Sequence, residues 1–139
     1  MKKKLKNKEK LTEAGLVNFL KMQFNPENIP GLLGDDGALI PQVSKGQLVI
    51  SVDTICEKIH FLSSSSAFSI GKKLASVTLS DIAAMGAKPL QLLISVAIPE
   101  TVSFKWVRSL YKGIKEVANF YNIDVTGGDS VSNSQMVFT

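Results

Sequence analysis

The segment 90–98 is almost entirely apolar and is followed directly by Pro99, which predicts a buried central strand that ends at the proline. Segments with helical spacing of apolar residues lie on both sides of it. The first, 69–85, is followed by glycine and proline, and the second, 101–121, is the longest predicted helix of the chain. A buried strand between two amphipathic helices requires the helices to pack on a sheet.

The other periodic segments complete this prediction. Short β-rich runs at 48–52, 123–126 and 136–138 predict three further strands, and 11–24 predicts a helix. We therefore expect an α+β fold of two layers, with a mixed four-stranded sheet and helices on one face. The stripe of the longest helix is expected to bring Phe104 and Trp106 into the core. The sequence reaches Thr139 inside a predicted strand, which suggests the first part of a larger protein.

Charge is concentrated at the start of the chain. Residues 2–10 contain six lysines and one glutamate, a charge of +5, so the remainder carries about −1 of the total of +4. We expect 1–10 to be a flexible, solvated basic tail and 11–139 to be one domain that binds no nucleic acid. No apolar segment is long enough to span a membrane, and the single cysteine permits no internal disulfide. These features predict a cytoplasmic protein whose metals are hard, oxygen-bound cations.

Five of the six aspartates lie in short segments rich in glycine, serine or threonine, at the ends of apolar runs. They are Asp35 and Asp36 in 34–36, Asp53 in 51–53, Asp81 in 80–81, and Asp129 in 127–129. Carboxylates at such positions point into clefts, and several together suit Mg²⁺ bound to a nucleoside triphosphate. Convergence of these segments would make a multi-carboxylate magnesium site.

Asp81 is the most informative of these residues. At 3.6 residues per turn it shares a helical face with Ile70, Leu74, Val77 and Met85, where an unpaired carboxylate is unfavourable. The alternative is a carboxylate at a helix end that binds nearby backbone or a lysine. The Gly-Asp-Asp-Gly sequence around Asp35 is equally suited to a plain turn. The two glycines before Asp129 permit a tight turn and leave backbone amide groups open to a phosphate.

Several motifs resemble thiamine-monophosphate kinase, in the order and at about the spacing of that family. They are Gly-Asp-Asp-Gly-Ala at 34–38, Val-Asp-Thr-Ile-Cys-Glu-Lys-Ile-His-Phe at 52–61, Ser-Asp-Ile-Ala-Ala-Met-Gly-Ala-Lys-Pro at 80–89, Tyr-Lys-Gly-Ile at 111–114, and Gly-Gly-Asp at 127–129. The pieces at 57–61 and 80–89 separate this family from its relatives in the aminoimidazole ribonucleotide synthetase superfamily. The resemblance covers about 30–139 and implies the N-terminal domain of such an enzyme, with the C-terminal domain absent.

The resemblance implies transfer of the γ-phosphoryl group of ATP to thiamine monophosphate, giving thiamine diphosphate, with several Mg²⁺ ions. The implied metal ligands are Asp35, Ser51, Val52, Asp53, Asp81 and Asp129. The residue that would contact the substrate is His60. The residues that would contact ATP are Tyr111, Gly128 and Asp129. Transfer is direct in the family, so no residue is implied as a covalent nucleophile. The family also implies a homodimer that pairs through the N-terminal sheets.

Two residues depart from the family pattern, and other interpretations stay open. Val52 replaces a common Thr or Ser, which leaves a backbone carbonyl as ligand, and Lys58 replaces a usual Gly near His60. Without the family resemblance, His60 is better interpreted as a structural histidine, and Cys56 as a small buried apolar residue. Other reactions of the superfamily are hydrogenase maturation, selenophosphate synthesis and aminoimidazole ribonucleotide synthesis. A non-catalytic dimerisation module is an alternative of a different class.

Overall fold

The computed structural model describes residues 47–139, the backbone of 38–41, and the single residues 18, 22 and 27. Its strands are β1 (Ala38–Pro41), β2 (Gln47–Ile50), β3 (Ile55–Cys56), β4 (Gln91–Ile98), β5 (Asp124–Ser132) and β6 (Val137–Phe138). Its helices are α1 (Ala67–Ala84) and α2 (Phe104–Tyr121). Within the described residues, no helix is both long enough and apolar enough to cross a membrane.

The strands form two sheets. β1 and β2 pair as an antiparallel hairpin, while the larger sheet has the order β3-β6-β4-β5. In that sheet β4 and β5 run parallel, with α2 as their connection, and β6 is antiparallel to both β3 and β4. The predicted mixed four-stranded sheet with helices on one face is confirmed. The strand predicted at 48–52 belongs instead to the hairpin, and the unpredicted β3 takes its place in the larger sheet.

The core lies between the two helices and one face of the four-stranded sheet. Alternate residues of β4, namely Leu92, Ile94 and Val96, are buried, as expected for a strand covered on one face. Opposite them, α1 contributes Leu74 and α2 contributes Ile114, both completely buried. The remaining members of the core cluster come mainly from the same elements and from Ile55, Phe61, Met136 and Phe138.

The two helices touch through glycines. A side-chain carbon at Gly71 of α1 would lie 2.0 Å from the carbonyl oxygen of Leu110, and one at Gly113 of α2 would lie 2.0 Å from that of Phe68. Each glycine therefore allows the backbone of the facing helix to approach it directly. This close packing fixes the position of α1, whose last turn carries Asp81.

Helix boundaries follow local capping. Ser66 precedes α1 and accepts a hydrogen bond from the Ser69 amide, and Ser103 does the same for the Trp106 amide before α2. The second helix therefore begins at 104 rather than at the predicted 101. Of the predicted helix 11–24, Asn18 and Met22 are described, and both are helical.

Three local predictions are wrong. The strand predicted at 123–126 does not end before the two glycines at 127–128, since β5 continues through them to Ser132. Phe104 is not in the core, because it stands at the first residue of α2 with 69% of its surface exposed; Trp106 packs against the core cluster as expected. Cys56 is only partly buried, because it lies at the end of the short strand β3.

Candidate functional site

An open cleft of about 660 Å³ lies between the hairpin strand β2, the last turns of α1, and the approach to β4. This volume is in the range of small-molecule sites. The sequence-predicted residues that line it are Ser51, Val52, Asp53, Gly128 and Asp129. They come from two segments more than seventy residues apart, which the sheet brings to one place. Asp35 lies outside the described residues.

Asp81 joins this group through Ser51. The Ser51 hydroxyl donates a hydrogen bond of 2.6 Å to Oδ2 of Asp81, and both residues are half-buried. The predicted helical phase is thus confirmed, because the carboxylate faces the segment after β2 rather than open solvent. Within the described part of the chain Asp81 forms no ion pair with a lysine, which is one of the two alternative partners that the sequence allows for it.

Asp129 reaches the cleft because of an irregularity in the sheet. Leu92 pairs with Val125, but Leu93 pairs with Gly127, so Thr126 is an extra residue in β5. In a regular register Asp129 would pair with Val96, whose side chain lies in the core beneath the helices. The extra residue moves it opposite Ser95, on the other face, because a shift of one residue reverses the direction of every later side chain.

Gly128 is needed for the same part of the sheet. Its φ is +150°, and a side-chain carbon there would lie 1.7 Å from the carbonyl oxygen of Ile94 on the neighbouring strand. A larger residue would therefore force β4 and β5 apart. The glycine has a structural reason to be present, besides any contact with a nucleotide.

A row of polar side chains crosses the open face of the sheet and ends at Asp129. Thr54 and Thr139 share a hydroxyl hydrogen bond of 2.9 Å, Thr139 and Ser95 exchange backbone hydrogen bonds, and Ser95 pairs with Asp129. Ser95 and Thr139 both line the cleft. Sequence reasoning missed these hydroxyl groups, because only the strand pairing places residues so distant in the chain side by side.

The chemistry of these donors suits a hard cation. The side chains of the predicted residues in and beside the cleft offer carboxylate and hydroxyl oxygens, ligands that Mg²⁺ prefers, whereas most of the other lining residues are apolar. Asp53 and Asp129 each accept a 2.7 Å hydrogen bond from the amide of the next residue, which fixes the carboxylate close to its own backbone. Among the residues that the structure describes, no three acidic, histidine or cysteine side chains come together as a complete metal site. A bound Mg²⁺ here would therefore take further oxygens from phosphate or water.

His60 lies outside the cleft lining, in the loop between β3 and α1. Its side chain is exposed, and its Nδ1 accepts a 2.9 Å hydrogen bond from the Cys56 amide. Lys73, on the first half of α1, donates a hydrogen bond to the His60 carbonyl oxygen. Lys73 stands about 12 Å before Asp81 along the helix axis, so His60 and the carboxylates belong to different ends of α1.

Lys58 and Tyr111 complete the predicted set. Lys58 has φ +68°, the left-handed conformation that glycine adopts readily, so the loop keeps a glycine-like turn in spite of the substitution. Tyr111 lies on α2, away from the cleft lining, with 37% of its surface exposed. Partial burial raises the pKa of its hydroxyl, so it is a neutral hydrogen-bond donor at physiological pH.

Several relatives of the chain carry the same name. It is 41% identical over 103 residues to thiamine-monophosphate kinase of Bacillus subtilis, a match that covers 73% of this chain and 32% of that protein. It is 31% identical to the enzyme of the same name from Methanocaldococcus jannaschii, over 93% of this chain and 41% of that one. The solved structure of AaThiL complexed with AMPPCP and TMP superposes with a TM-score of 0.82 at 32% identity, over 99% of this chain and 43% of the other.

The chain thus spans between about a third and two fifths of the length of these relatives. Its residues 34–139 match the family model described as AIR synthase related protein, N-terminal domain. That range includes the cleft, the His60 loop and both helices. On this match, the chain belongs to the family of AIR synthase related proteins and contains their N-terminal domain.

Proposed function

We propose that the chain is the Mg²⁺·ATP-binding part of an enzyme that transfers the γ-phosphoryl group of ATP to thiamine monophosphate. The bond from the γ-phosphorus to the bridging oxygen breaks, and a bond to a phosphate oxygen of thiamine monophosphate forms, giving thiamine diphosphate and ADP. The names of the relatives support this reaction, as does the complex of AaThiL with AMPPCP, an ATP analogue, and TMP. Direct transfer needs positioning and charge neutralisation rather than a protein nucleophile.

The single observation that carries the proposal is the position of Asp129. The extra residue in β5 turns this carboxylate away from the core and toward the cleft that Asp53 also lines. A carboxylate can be exposed to solvent from any loop, without an irregular strand. The bulge is therefore best explained by a site that requires the carboxylate at a fixed place beside β4.

We assign the metal ligands accordingly. The carboxylates of Asp53 and Asp129 would hold Mg²⁺ against the ATP phosphates, with Asp81 and Ser51 beside them and the Val52 carbonyl as a further oxygen. Asp35 stays a predicted ligand. The bound metal would neutralise charge on the phosphate oxygens during transfer. Gly128 and Tyr111 are assigned to ATP, and His60 to the phosphate of thiamine monophosphate.

Isothermal titration of ATP, with and without Mg²⁺, tests this assignment. Asp129→Asn removes one charged ligand and is expected to weaken Mg²⁺-dependent ATP binding by about tenfold or more, the value of one charge-assisted contact. Asp124→Asn is the matched control, because Asp124 lies on the same strand but not in the cleft lining, and it is expected to bind as the wild type does. Equal binding by both variants, or wild-type binding without any need for Mg²⁺, contradicts the proposal.

We also propose a homodimer that pairs through the four-stranded sheet. Among the strands that the structure describes, β5 is an edge strand and is exposed along its whole length, and the open face shows Leu93, 66% exposed, and Val131, 50% exposed. Exposed apolar groups beside an unpaired edge favour association. Sedimentation equilibrium is expected to give a dimer that Val131→Lys dissociates, since Val131 does not line the cleft, and a wild-type monomer at all concentrations refutes this part. A dimer with no Mg²⁺-dependent ATP binding supports the non-catalytic module instead.

The proposed location is the cytoplasm. The reaction consumes ATP, and the single cysteine requires no oxidising compartment.

A further inference from the structure

His60 is bound to the backbone of Cys56 at two points. The Cys56 amide donates to Nδ1 of the imidazole over 2.9 Å, and the Cys56 carbonyl accepts from the His60 amide over 2.8 Å. An amide N–H can only donate, so Nδ1 must be unprotonated to receive it. The proton of the neutral ring therefore lies on Nε2, which forms no hydrogen bond within the described residues and is a donor available to a ligand.

Glu57 ties this loop to the sheet. Its Oε1 accepts from the Ser63 hydroxyl over 2.5 Å, and its Oε2 accepts from the Met136 amide over 3.3 Å. The Glu57 amide in turn donates to the Met136 carbonyl over 2.9 Å. These hydrogen bonds, chiefly that from Ser63, lower the pKa of the Glu57 carboxyl, so it is ionised at neutral pH. One side chain thus joins the far end of the loop to the residue just before β6.

Two lysines complete the loop. Lys73 reaches from α1 to the carbonyl oxygen of His60, and the Lys58 amide donates to the Phe61 carbonyl over 2.7 Å. The only carboxylate in this group, Glu57, is already occupied by Ser63 and Met136. The loop and the helix residue bound to it thus contain two lysines and one carboxylate, a net positive charge that suits an anionic ligand.

We propose that Glu57 is a positioning residue that keeps the Cys56 amide on Nδ1 of His60, so that the ring stays in the Nε2–H form and donates to a phosphate oxygen of the substrate. The assignment of His60 to a substrate phosphate rests on the proposed function, whereas the positioning of its ring by Glu57 does not. Glu57 does not touch the imidazole. It acts through the backbone at 56–57, which it holds against Met136, the residue just before β6.

Nitrogen NMR of the chain labelled with ¹⁵N-histidine tests this inference directly, because His60 is the only histidine. At a pH where the ring is neutral, the wild type is expected to show a protonated Nε2 and an unprotonated Nδ1. A wild-type spectrum with the proton on Nδ1, or with both forms in comparable amounts, overturns the inference without any reference to catalysis.

Glu57→Ala is expected to lower the ratio of the Nε2–H form to the Nδ1–H form by about tenfold, the equivalent of losing one hydrogen bond to the ring. Ser63→Ala removes only one of the two side-chain contacts of Glu57 and is expected to lower the ratio by a smaller factor. Glu100→Ala is the matched control, since Glu100 is exposed and forms none of these contacts, and its ratio should equal that of the wild type. An unchanged ratio in both Glu57→Ala and Ser63→Ala refutes the positioning role. If Glu57→Ala fails to fold, Ser63→Ala decides alone.

Titration with thiamine monophosphate and with inorganic phosphate separates this inference from the proposed function. Both ligands are expected to shift the Nε2 resonance of the wild type and to bind the Glu57→Ala variant more weakly. One outcome is that the wild-type ring is in the Nε2–H form and responds to Glu57→Ala but to neither ligand. This outcome supports the positioning by Glu57 and refutes the assignment of His60 to a phosphate. The reverse pattern, with ligand shifts but no effect of Glu57→Ala, removes Glu57 alone.

Discussion

Replacement of Gly113 by alanine is expected to destabilise the chain, because the new methyl group would collide with the backbone of the facing helix. A side-chain carbon there lies 2.0 Å from the Phe68 carbonyl oxygen and 3.0 Å from the Lys72 amide nitrogen. Neither atom belongs to a flexible side chain, so the helices must separate by about 1 Å. Overpacking of this kind costs about 3 kcal/mol, and the better helix propensity of alanine returns about 1 kcal/mol, a net loss of about 2 kcal/mol.

For a chain of 139 residues, this loss lowers the melting temperature by about 8 °C, measured by circular dichroism. Asn119→Ala is the matched control, because Asn119 lies on the exposed face of the same helix, and its effect is expected within about 0.5 kcal/mol. Gly71→Ala opens the same contact from the other helix, so the double variant should lose less than the sum of the two single ones. A melting temperature of Gly113→Ala at or above that of the wild type, or strict additivity, refutes the reasoning.

Two further predictions concern the loop between β3 and α1. Lys58→Gly is expected to stabilise the chain by up to about 1 kcal/mol in urea unfolding, because relief of the left-handed strain exceeds the added freedom of the unfolded chain. Lys88→Gly, at a position without positive φ, is the control and should destabilise the chain. A change in unfolding free energy of the same sign in both variants contradicts the prediction. Hydrogen bonds hold the pKa of Glu57 below its ordinary value in the folded chain. The stability that they contribute is therefore fully present above the pKa of Glu57 in the unfolded chain, and it is lost as the pH falls through the pKa of Glu57 in the folded chain. Acid unfolding of the wild type should therefore be steeper than that of Glu57→Gln between about pH 6 and pH 3, and equal slopes contradict the assignment.

Local patterns predicted most of the secondary structure. The apolar run of 90–98 became β4, and the helical stripes became α1 and α2, because burial of one face follows directly from residue spacing. The helical face of Asp81 was predictable for the same reason. Asp81 lies two turns after Leu74, so both side chains share one face whatever the helix packs against. Phe104 failed, because the stripe predicts a face but not the residue at which the core ends.

Contacts between segments that are distant in the sequence were not predictable. The direction of Asp129 depends on one extra residue in β5, and that residue is defined only by the pairing of β5 with β4. The same holds for Ser51, which meets Asp81 thirty positions later, and for the hydroxyl groups of Ser95 and Thr139. A linear pattern contains periodicity within one element, whereas register and contact are properties of two elements together.

The sequence by itself determined the helices and main strands, the family motifs, and the position of Asp81 on an apolar helical face. The tertiary structure decided how they come together. It placed β3 rather than β2 in the main sheet, used Gly71 and Gly113 to bring the helices into backbone contact, and turned Asp129 to the open face. The physical reason is that spacing along a chain sets which face is apolar, but only packing and strand pairing set what that face meets.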